Sequence, residues 1–481
     1  MKYPFIGRET ELEDLKSLYE RSKPTLAVIK GRRRIGKSAL VDHFAQKNLL
    51  KGSRFFSFAG LAPTQNITAQ SQRDHFSQQL SDALGVPFSK FDDWTQTLNH
   101  FTEFISPGDI ILLDEISWMG SLDPTFIPKL KVWWDVISAQ KDHFMLIFCG
   151  SVSTWIEENI LKSTAFFGRI SLTISLESFL IPESTQFLKA IGFKGSSHEI
   201  YEILSILGGI PWYLEQINPK IMGEENIKNL CFKKNGLLVS EFNHIFHDIF
   251  NGKGTTYKKI LNSLKDGMKT LSEIREEIQF SQSGTLSLLI DHLISSGFIK
   301  EHYQWSIKTE NILKHKLYRI LDPFTRFYLK NMEHNLIKIS ESGFNSLNLK
   351  YLPGFEANMG LQVENLLLQN RTLILRSLGI DPLDCIFDGP YLQKKTLKTK
   401  GCQIDYLIQT RTQNLFLCEF KFNRSILGSD IIHEVEQKMK RLSIPRGYAL
   451  VPVLFHMGEV SGAVYDKRYF YKIINIQDFV D

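Results

Sequence analysis

A short apolar run, Thr25-Leu26-Ala27-Val28-Ile29-Lys30, is entered through Pro24 and passes without a gap into Gly31-Arg32-Arg33-Arg34-Ile35-Gly36-Lys37-Ser38. No other feature constrains the fold as strongly. A strand, a G-x-x-x-x-G-K-S loop and an amphipathic helix opening at Ala39 form the order of a phosphate-cradling loop. The glycines let backbone N–H groups face phosphate oxygens, Lys37 places a point charge at the β/γ oxygens, and Ser38 offers a hydroxyl to Mg²⁺. The helix N-terminus adds partial positive charge. The expected cofactors are therefore ATP and Mg²⁺, bound by Gly31 through Ala39.

Further along, Asp109-Ile110-Ile111-Leu112-Leu113-Asp114-Glu115 reads as a buried parallel strand ending in two carboxylates. Such a strand presents its C-terminal end at the ligand crevice. Asp114 is expected to hold Mg²⁺ through water, and Glu115 to orient and deprotonate the attacking water. A third strand, Phe144-Met145-Leu146-Ile147-Phe148-Cys149, ends in Gly150-Ser151. Ser151 either senses the γ-phosphate or caps a helix beginning near Thr154. Arg169, before the strand-like Ile170–Ile174, either completes the charge stabilisation of a neighbouring subunit's site or is a surface arginine.

These residues carry a resemblance. Phe5-Ile6-Gly7-Arg8-Glu9-x-Glu11-Leu12, the arginine-rich loop, Leu112-Leu113-Asp114-Glu115, Cys149-Gly150-Ser151, Gly168-Arg169 and Gly208-Gly209-Ile210-Pro211-Trp212-Tyr213-Leu214 together resemble the prokaryotic archaeal-type ATPases of the AAA+/STAND group of P-loop NTPases. The similarity extends from residue 1 to about 240. It implies that Ile6, Gly7 and Arg8 border the adenine and that the Gly-Gly-x-Pro segment belongs to a small helical lid. Read from the residues alone, Gly208, Gly209 and Pro211 are a helix stop and restart.

From Thr255 the pattern changes to three short helices: Thr256–Leu264, one opened by a Thr270–Glu273 capping box, and one from about Ser281 to Ser295. Gly297–Ile299 and Tyr303–Ile307 then read as two strands of a hairpin, which completes the winged-helix order. The third helix contains no Lys or Arg, so DNA contact and a protein-contact or lid-coupling role both stay open. In Tyr318–Leu329, which also resembles a connector in those ATPases, Phe324, Phe327 and Tyr328 form a buried stripe after an Asp322-Pro323 start.

Near the end, Ile404–Ile408 and Leu415–Phe422 read as a hairpin around Arg411-Thr412-Gln413, so opposed residues sum to 824 and Asp405 faces Glu419 with Cβ atoms about 5 Å apart. Lys421 lies two residues on, on the same face. Paired carboxylates repel unless a cation sits between them, and such oxygens suit Mg²⁺ or Mn²⁺. Asp405-x13-Glu419-x-Lys421 resembles the active-site hairpin of PD-(D/E)XK nucleases. That resemblance, over about residues 350–481, adds Glu364 as a metal ligand on the preceding helix, with Gln437-Lys438 on the following one; Ile404 stands where the motif often has Pro. Lys394, Lys395, Lys398 and Lys400 either hold backbone phosphates or form a solvated loop.

Composition adds limits. Lys+Arg 57 against Asp+Glu 52 leaves a net charge of +5, too small an excess to establish a polyanionic partner. Five widely spaced cysteines without C-x-x-C indicate neither a disulfide framework nor a zinc ribbon. No apolar run reaches membrane-spanning length and the first residues lack the apolar core of a secretion signal, so a cytoplasmic protein without a membrane partner is expected. The expected fold class is α/β: a P-loop ATPase core at 1–175, a helical lid at 176–250, a winged-helix domain at 251–320, a helical connector at 321–349 and a nuclease-like α/β domain at 350–481. Two functions follow: an ATPase coupled to a metal-dependent nuclease acting on DNA, or an ATP-driven signalling switch with a non-catalytic C-terminal module. A homo-oligomer or a protein partner fits either.

Overall fold

The computed structural model describes residues 4–480 except 63, 65, 121, 152, 251–253, 282, 345–347, 398 and 423–424. Lys398 and Gln282, both within segments discussed above, thus lie outside the described residues. The chain divides into two compact units, Met1–Ser178 and Phe179–Asp481.

The first unit is built on strands β1 (Thr25–Gly31), β2 (Phe55–Ala59), β3 (Ile110–Asp114), β4 (Met145–Gly150) and β5 (Leu172–Leu176). They lie in the order β2-β3-β4-β1-β5, with every adjacent pair parallel. β4 is buried along its whole length and β3 up to Asp114, as a parallel sheet covered on both faces requires. β2, at the edge, is less completely buried. Phe58 stacks on Phe76 at 4.1 Å beside Trp94, Phe101 and Trp133, forming an aromatic layer over one face. Because β3, β4 and β1 are parallel neighbours, Asp114, Gly150 and Gly31 emerge at one edge of the sheet. β5 begins at Leu172 rather than Ile170, although Ser171 N–H already bonds Leu26 O of β1 at 2.8 Å.

The second unit opens with helices Ile181–Ala190, Ser197–Leu207 and Gly223–Cys231. Gly208, at φ 66, stops the second of these, and Pro211 starts the next turn. Gly209 cannot carry a side chain, because a Cβ there would lie 2.0 Å from Phe179 O. Next come Gly254–Leu264, the short β6 (Lys269–Thr270), Leu271–Glu277 with its Thr270–Glu273 capping box, and Ser283–Ser295. β7 (Ile299–Ser306) and β8 (Asn311–Ile320) complete an antiparallel sheet ordered β6-β8-β7. This corrects the expected hairpin: Ile299 and Tyr303 belong to one strand, and its partner is the basic stretch after Glu310. β8 carries Lys314, His315 and Lys316, and its first residues are exposed, so it lacks an apolar signature.

Asp322 accepts from Thr325 N–H at 2.7 Å and starts helix Pro323–Phe327, whose Phe324, Phe327 and neighbouring Tyr328 are buried. Helix Phe355–Gln369 precedes strands β9 (Cys385–Gln393), β10 (Cys402–Thr410), β11 (Asn414–Phe422), β12 (Ala449–Met457) and β13 (Lys472–Asn475). Their order is β13-β12-β11-β10-β9. β9, β10 and β11 are antiparallel neighbours, whereas β11, β12 and β13 run parallel. Parallel β11 and β12 need a crossover, which helix Asp430–Arg441 supplies while burying Ile431, Ile432 and Val435. No helix among the described residues is long and apolar enough to cross a membrane.

Candidate functional sites

At the edge shared by β1, β3 and β4, the loop after β1 takes the backbone that its glycines allow. Gly36 has φ 92, and Gly31, at φ 153, would bring a Cβ within 2.5 Å of Leu176 O. Arg34 is also left-handed, at φ 69. Lys37 is buried, and its ammonium donates to Gly31 O at 3.0 Å and Arg32 O at 3.1 Å, so it is folded back over its own loop. Burial pulls its pKa below the usual lysine range, against the attraction of Glu115 and Asp114.

Ser38 Oγ lies 2.5 Å from Asp114 Oδ2. A hydroxyl and a carboxylate oxygen this close are the oxygen chemistry that suits Mg²⁺, which Ser38 would bind directly and Asp114 through water. Glu115, at φ 47, occupies left-handed backbone that a residue with a long side chain rarely adopts. Its Oε2 accepts from both Ser151 N–H, at 3.0 Å, and Ser151 Oγ, at 2.8 Å. The Ser151 hydroxyl thus donates to Glu115, two residues before the helix that begins at Ser153.

Arg8, at φ 69, reaches Glu177 O at 2.6 Å and Ile35 O at 3.5 Å, which fastens the Ile6-Gly7-Arg8 segment to the phosphate loop. The Arg33 guanidinium lies 5.9 Å from the Trp118 ring centre. Arg169 stands apart. It forks onto Asp135, with Nε–Oδ1 at 2.5 Å and Nη2–Oδ2 at 3.0 Å, and that hydrogen bond holds the Asp135 carboxyl near pKa 2. Within one chain, its geometry is that of the surface arginine.

The second cluster lies on β10 and β11. The observed pairs Tyr406↔Cys418, Leu407↔Leu417, Ile408↔Phe416 and Gln409↔Leu415 all follow the expected register. Asp405 Oδ2 accepts from Phe420 N–H at 3.0 Å. Glu419 is 2% exposed. Lys438, on the crossover helix, bonds Asp405 Oδ1 at 3.2 Å and Glu419 Oε2 at 2.5 Å. Lys421 bonds Glu434 at 2.8 Å and lies 3.3 Å from Glu419. Burial alone would lower the Lys438 pKa, but Asp405 and Glu419 outweigh it and raise it. Burial, reinforced by Asp405, raises that of Glu419. Sequence reasoning gave Lys438 no role. Its position one turn beyond Glu434 on a strongly amphipathic helix was the available signal.

Among the described residues, no group of three or more His, Cys, Asp and Glu side chains is placed to hold a metal ion. Lys438 gathers Asp405 and Glu419, and Glu364, the third residue of the expected set, lines a neighbouring cavity with Arg319 and Arg326. A cleft of about 660 Å³ beside the cluster is lined by Lys394, Lys395, Lys438 and Arg441.

Burial and Asp405 push the Glu364 carboxyl up to about 7 from its ordinary 4.5, although Arg326 and Arg319 oppose the shift. The folded state therefore keeps a proton between those values that the unfolded chain releases. This contribution to stability is complete below about pH 4.5 and is lost as the pH rises to about 7, a change of about 3 kcal/mol. Urea unfolding in EDTA should show that loss in the wild-type chain and little of it in Glu364→Gln. Equal pH dependence in both would refute it.

Residues 5–217 match the family model described as an ATPase domain predominantly from Archaea. An uncharacterized protein of Methanocaldococcus jannaschii is 26% identical over 347 residues, which cover 72% of this chain and 73% of that one. Among solved structures, the Walker-type ATPase of Pyrococcus abyssi is similar over 68% of this chain and 96% of that one, at 18% identity and TM-score 0.48. The ORC2 protein of Aeropyrum pernix covers 72% and 97%, at 13% identity and TM-score 0.42. With a glycine-lined phosphate loop and Asp114–Glu115 at the same sheet edge, residues 5–217 are an ATPase domain of the archaeal type.

Proposed function

We propose that the chain binds ATP with Mg²⁺ at its first unit, hydrolyses it, and uses the nucleotide state to control a nuclease-like site on β10 and β11 that acts on DNA. The observation that carries the ATPase part is the 2.5 Å contact of Ser38 with Asp114 beside a Glu115 carboxylate fixed by Ser151. Lys37 turns from its loop carbonyls to the phosphate oxygens. Ser38, and Asp114 through water, would hold Mg²⁺, which would supply positive charge against the phosphates. Glu115 takes the proton of the attacking water, and Ser151 positions Glu115. Ile6, Gly7 and Arg8 border the base. Residues 176–250 act as the lid, 251–320 as a winged helix, 321–349 as a connector and 350–481 as the nuclease-like domain. The protein works in the cytoplasm, alone or with copies of itself that receive Arg169.

At the second site, Asp405 and Glu419 each direct one oxygen at a single cation, the Lys438 ammonium. A divalent ion, Mg²⁺ or Mn²⁺, would compete for that position, with Lys421 beside it to orient water against a phosphodiester. The same contacts favour a second reading: because Lys438 bridges both carboxylates and Lys421 lies 3.3 Å from Glu419, the pair is already matched by two ammonium groups, and the fold can serve as a silent binding module in a signalling switch.

Cleavage of plasmid and single-stranded DNA in Mg²⁺ or Mn²⁺, with and without ATP, separates the two. Cutting that is lost in Glu419→Ala and altered in Lys37→Ala is the expected result. ATP turnover with no cutting of any substrate would leave the switch.

A further inference from the structure

A cavity of about 240 Å³ lies within the second unit, lined among others by Asp266, Lys269, Arg319, Arg326, Glu364 and Asn365. Arg319 is 2% exposed and Arg326 3%. Charged side chains this deep are ordinarily paired with an opposite charge. Here every hydrogen bond the two guanidiniums make among the described residues goes to an uncharged acceptor. Arg319 Nε donates to His302 Nε2 at 2.8 Å, and burial keeps that imidazole neutral, with its pKa pushed down to about 2. Arg326 donates to Leu361 O at 3.1 Å, Gln362 Oε1 at 3.3 Å and Ile320 O at 3.3 Å.

Among the described residues, Arg319 Nη1 and Arg326 Nε, both buried, have no hydrogen-bond partner, and neither does the Asn365 side-chain carbonyl oxygen. The other charges are engaged elsewhere: Asp266 pairs with Lys330 at 2.8 Å, and Lys269 pairs with Glu277. Glu364 is the first carboxylate acting on Arg326, followed by Asp266 and Asp322, and the cavity lining sets Arg319, Arg326 and Lys269 against Asp266 and Glu364, an excess of one positive charge.

We propose that this cavity is a binding site for a phosphoryl oxyanion held by Arg319 and Arg326. A guanidinium offers donors in a planar fork that matches phosphate oxygens, and two of them suit a dianion. The volume is several times the share of one liquid water, about 30 Å³, so a phosphate fits with solvent around it. Such a group reaches the site either as free phosphate or as the terminal phosphate of a nucleic-acid strand. The site requires neither ATP turnover nor cleavage, so its test is independent of both.

The full-length chain carrying Lys37→Ala, which removes phosphate binding at the ATP site, is melted in inorganic phosphate and in chloride of equal ionic strength. Phosphate should raise Tm over chloride, since a ligand that binds only the folded state stabilises it. The rise should be lost on adding Arg319→Gln or Arg326→Met. Glu364→Gln removes the repelling carboxylate while keeping both arginines, and should lower the phosphate concentration for half-maximal effect several-fold. This variant decides the matter if the arginine variants do not fold. Tighter binding of a 5′-phosphorylated oligonucleotide than of its 5′-hydroxyl counterpart assigns the site to strand ends; equal binding, with the phosphate response intact, assigns it to free phosphate. No phosphate effect beyond chloride, or a response unchanged in all three variants, overturns the proposal.

Discussion

Glu115→Gln should lower ATP turnover by a factor of about 10²–10⁴ while leaving nucleotide affinity within about threefold of wild type, because general-base catalysis typically contributes that much to rate. Gln keeps the side-chain length and an oxygen that can still accept from Ser151 N–H and Oγ, which reach Glu115 at 3.0 and 2.8 Å. What disappears is the capacity to take a proton from water. The φ of 47 at Glu115 supports the assignment, since strained backbone of this kind persists where the surrounding structure over-determines it. Phosphate release and equilibrium binding of labelled ATP, measured on the same preparations, check both halves. Turnover within threefold of wild type in the Gln variant would remove Glu115 from the mechanism.

Glu419→Ala should destabilise the second unit by about 3 kcal/mol, the lower end of the range for removing one partner of a buried ion pair. Glu419 is 2% exposed and bonds Lys438 at 2.5 Å, with Lys421 at 3.3 Å on its other oxygen. Its loss leaves two ammonium groups close together, each with one remaining carboxylate: Asp405 for Lys438 and Glu434 for Lys421. Those remaining partners keep the cost at the low end. Trp305 is a suitable fluorescence probe for urea unfolding, because it is buried in the C-terminal core and its indole N–H bonds Gln409 at 2.9 Å. The double variant Glu419→Ala/Lys438→Met should lose less than the single, since it removes both charges together. A single-variant cost below about 1 kcal/mol, the value for an exposed pair, would contradict the buried geometry.

Much of the first site was legible because its chemistry is local. The phosphate loop needs glycines at fixed spacing, and the strand before it and the acid-tipped strand β3 are continuous apolar runs, so the motif announces both fold and ligand. The link between Ser151 and Glu115 was not legible. It joins the ends of two strands far apart in sequence, and a serine after Gly150 fits a sensing or capping role equally well. The register of β10 and β11 was legible because a three-residue turn fixes which residues oppose one another.

Lys438 was not legible as the partner of Asp405 and Glu419, because its place depends on how the crossover helix docks. β8 escaped for a simpler reason: its exposed, basic first half has no alternating apolar pattern. In Pro323–Leu329 the aromatic stripe was visible, but nothing in the sequence marks Arg326 as buried. An arginine inside an apolar helix looks the same whether it points to water or into a cavity.

Mg²⁺-dependent phosphate release from ATP by the full-length chain, compared with Lys37→Ala, tests the central claim most directly. Turnover that requires Mg²⁺ and falls to background in Lys37→Ala is the predicted result. Release that is absent in the wild type, or equal in both proteins, would contradict an ATPase built on the loop from Gly31 to Ser38.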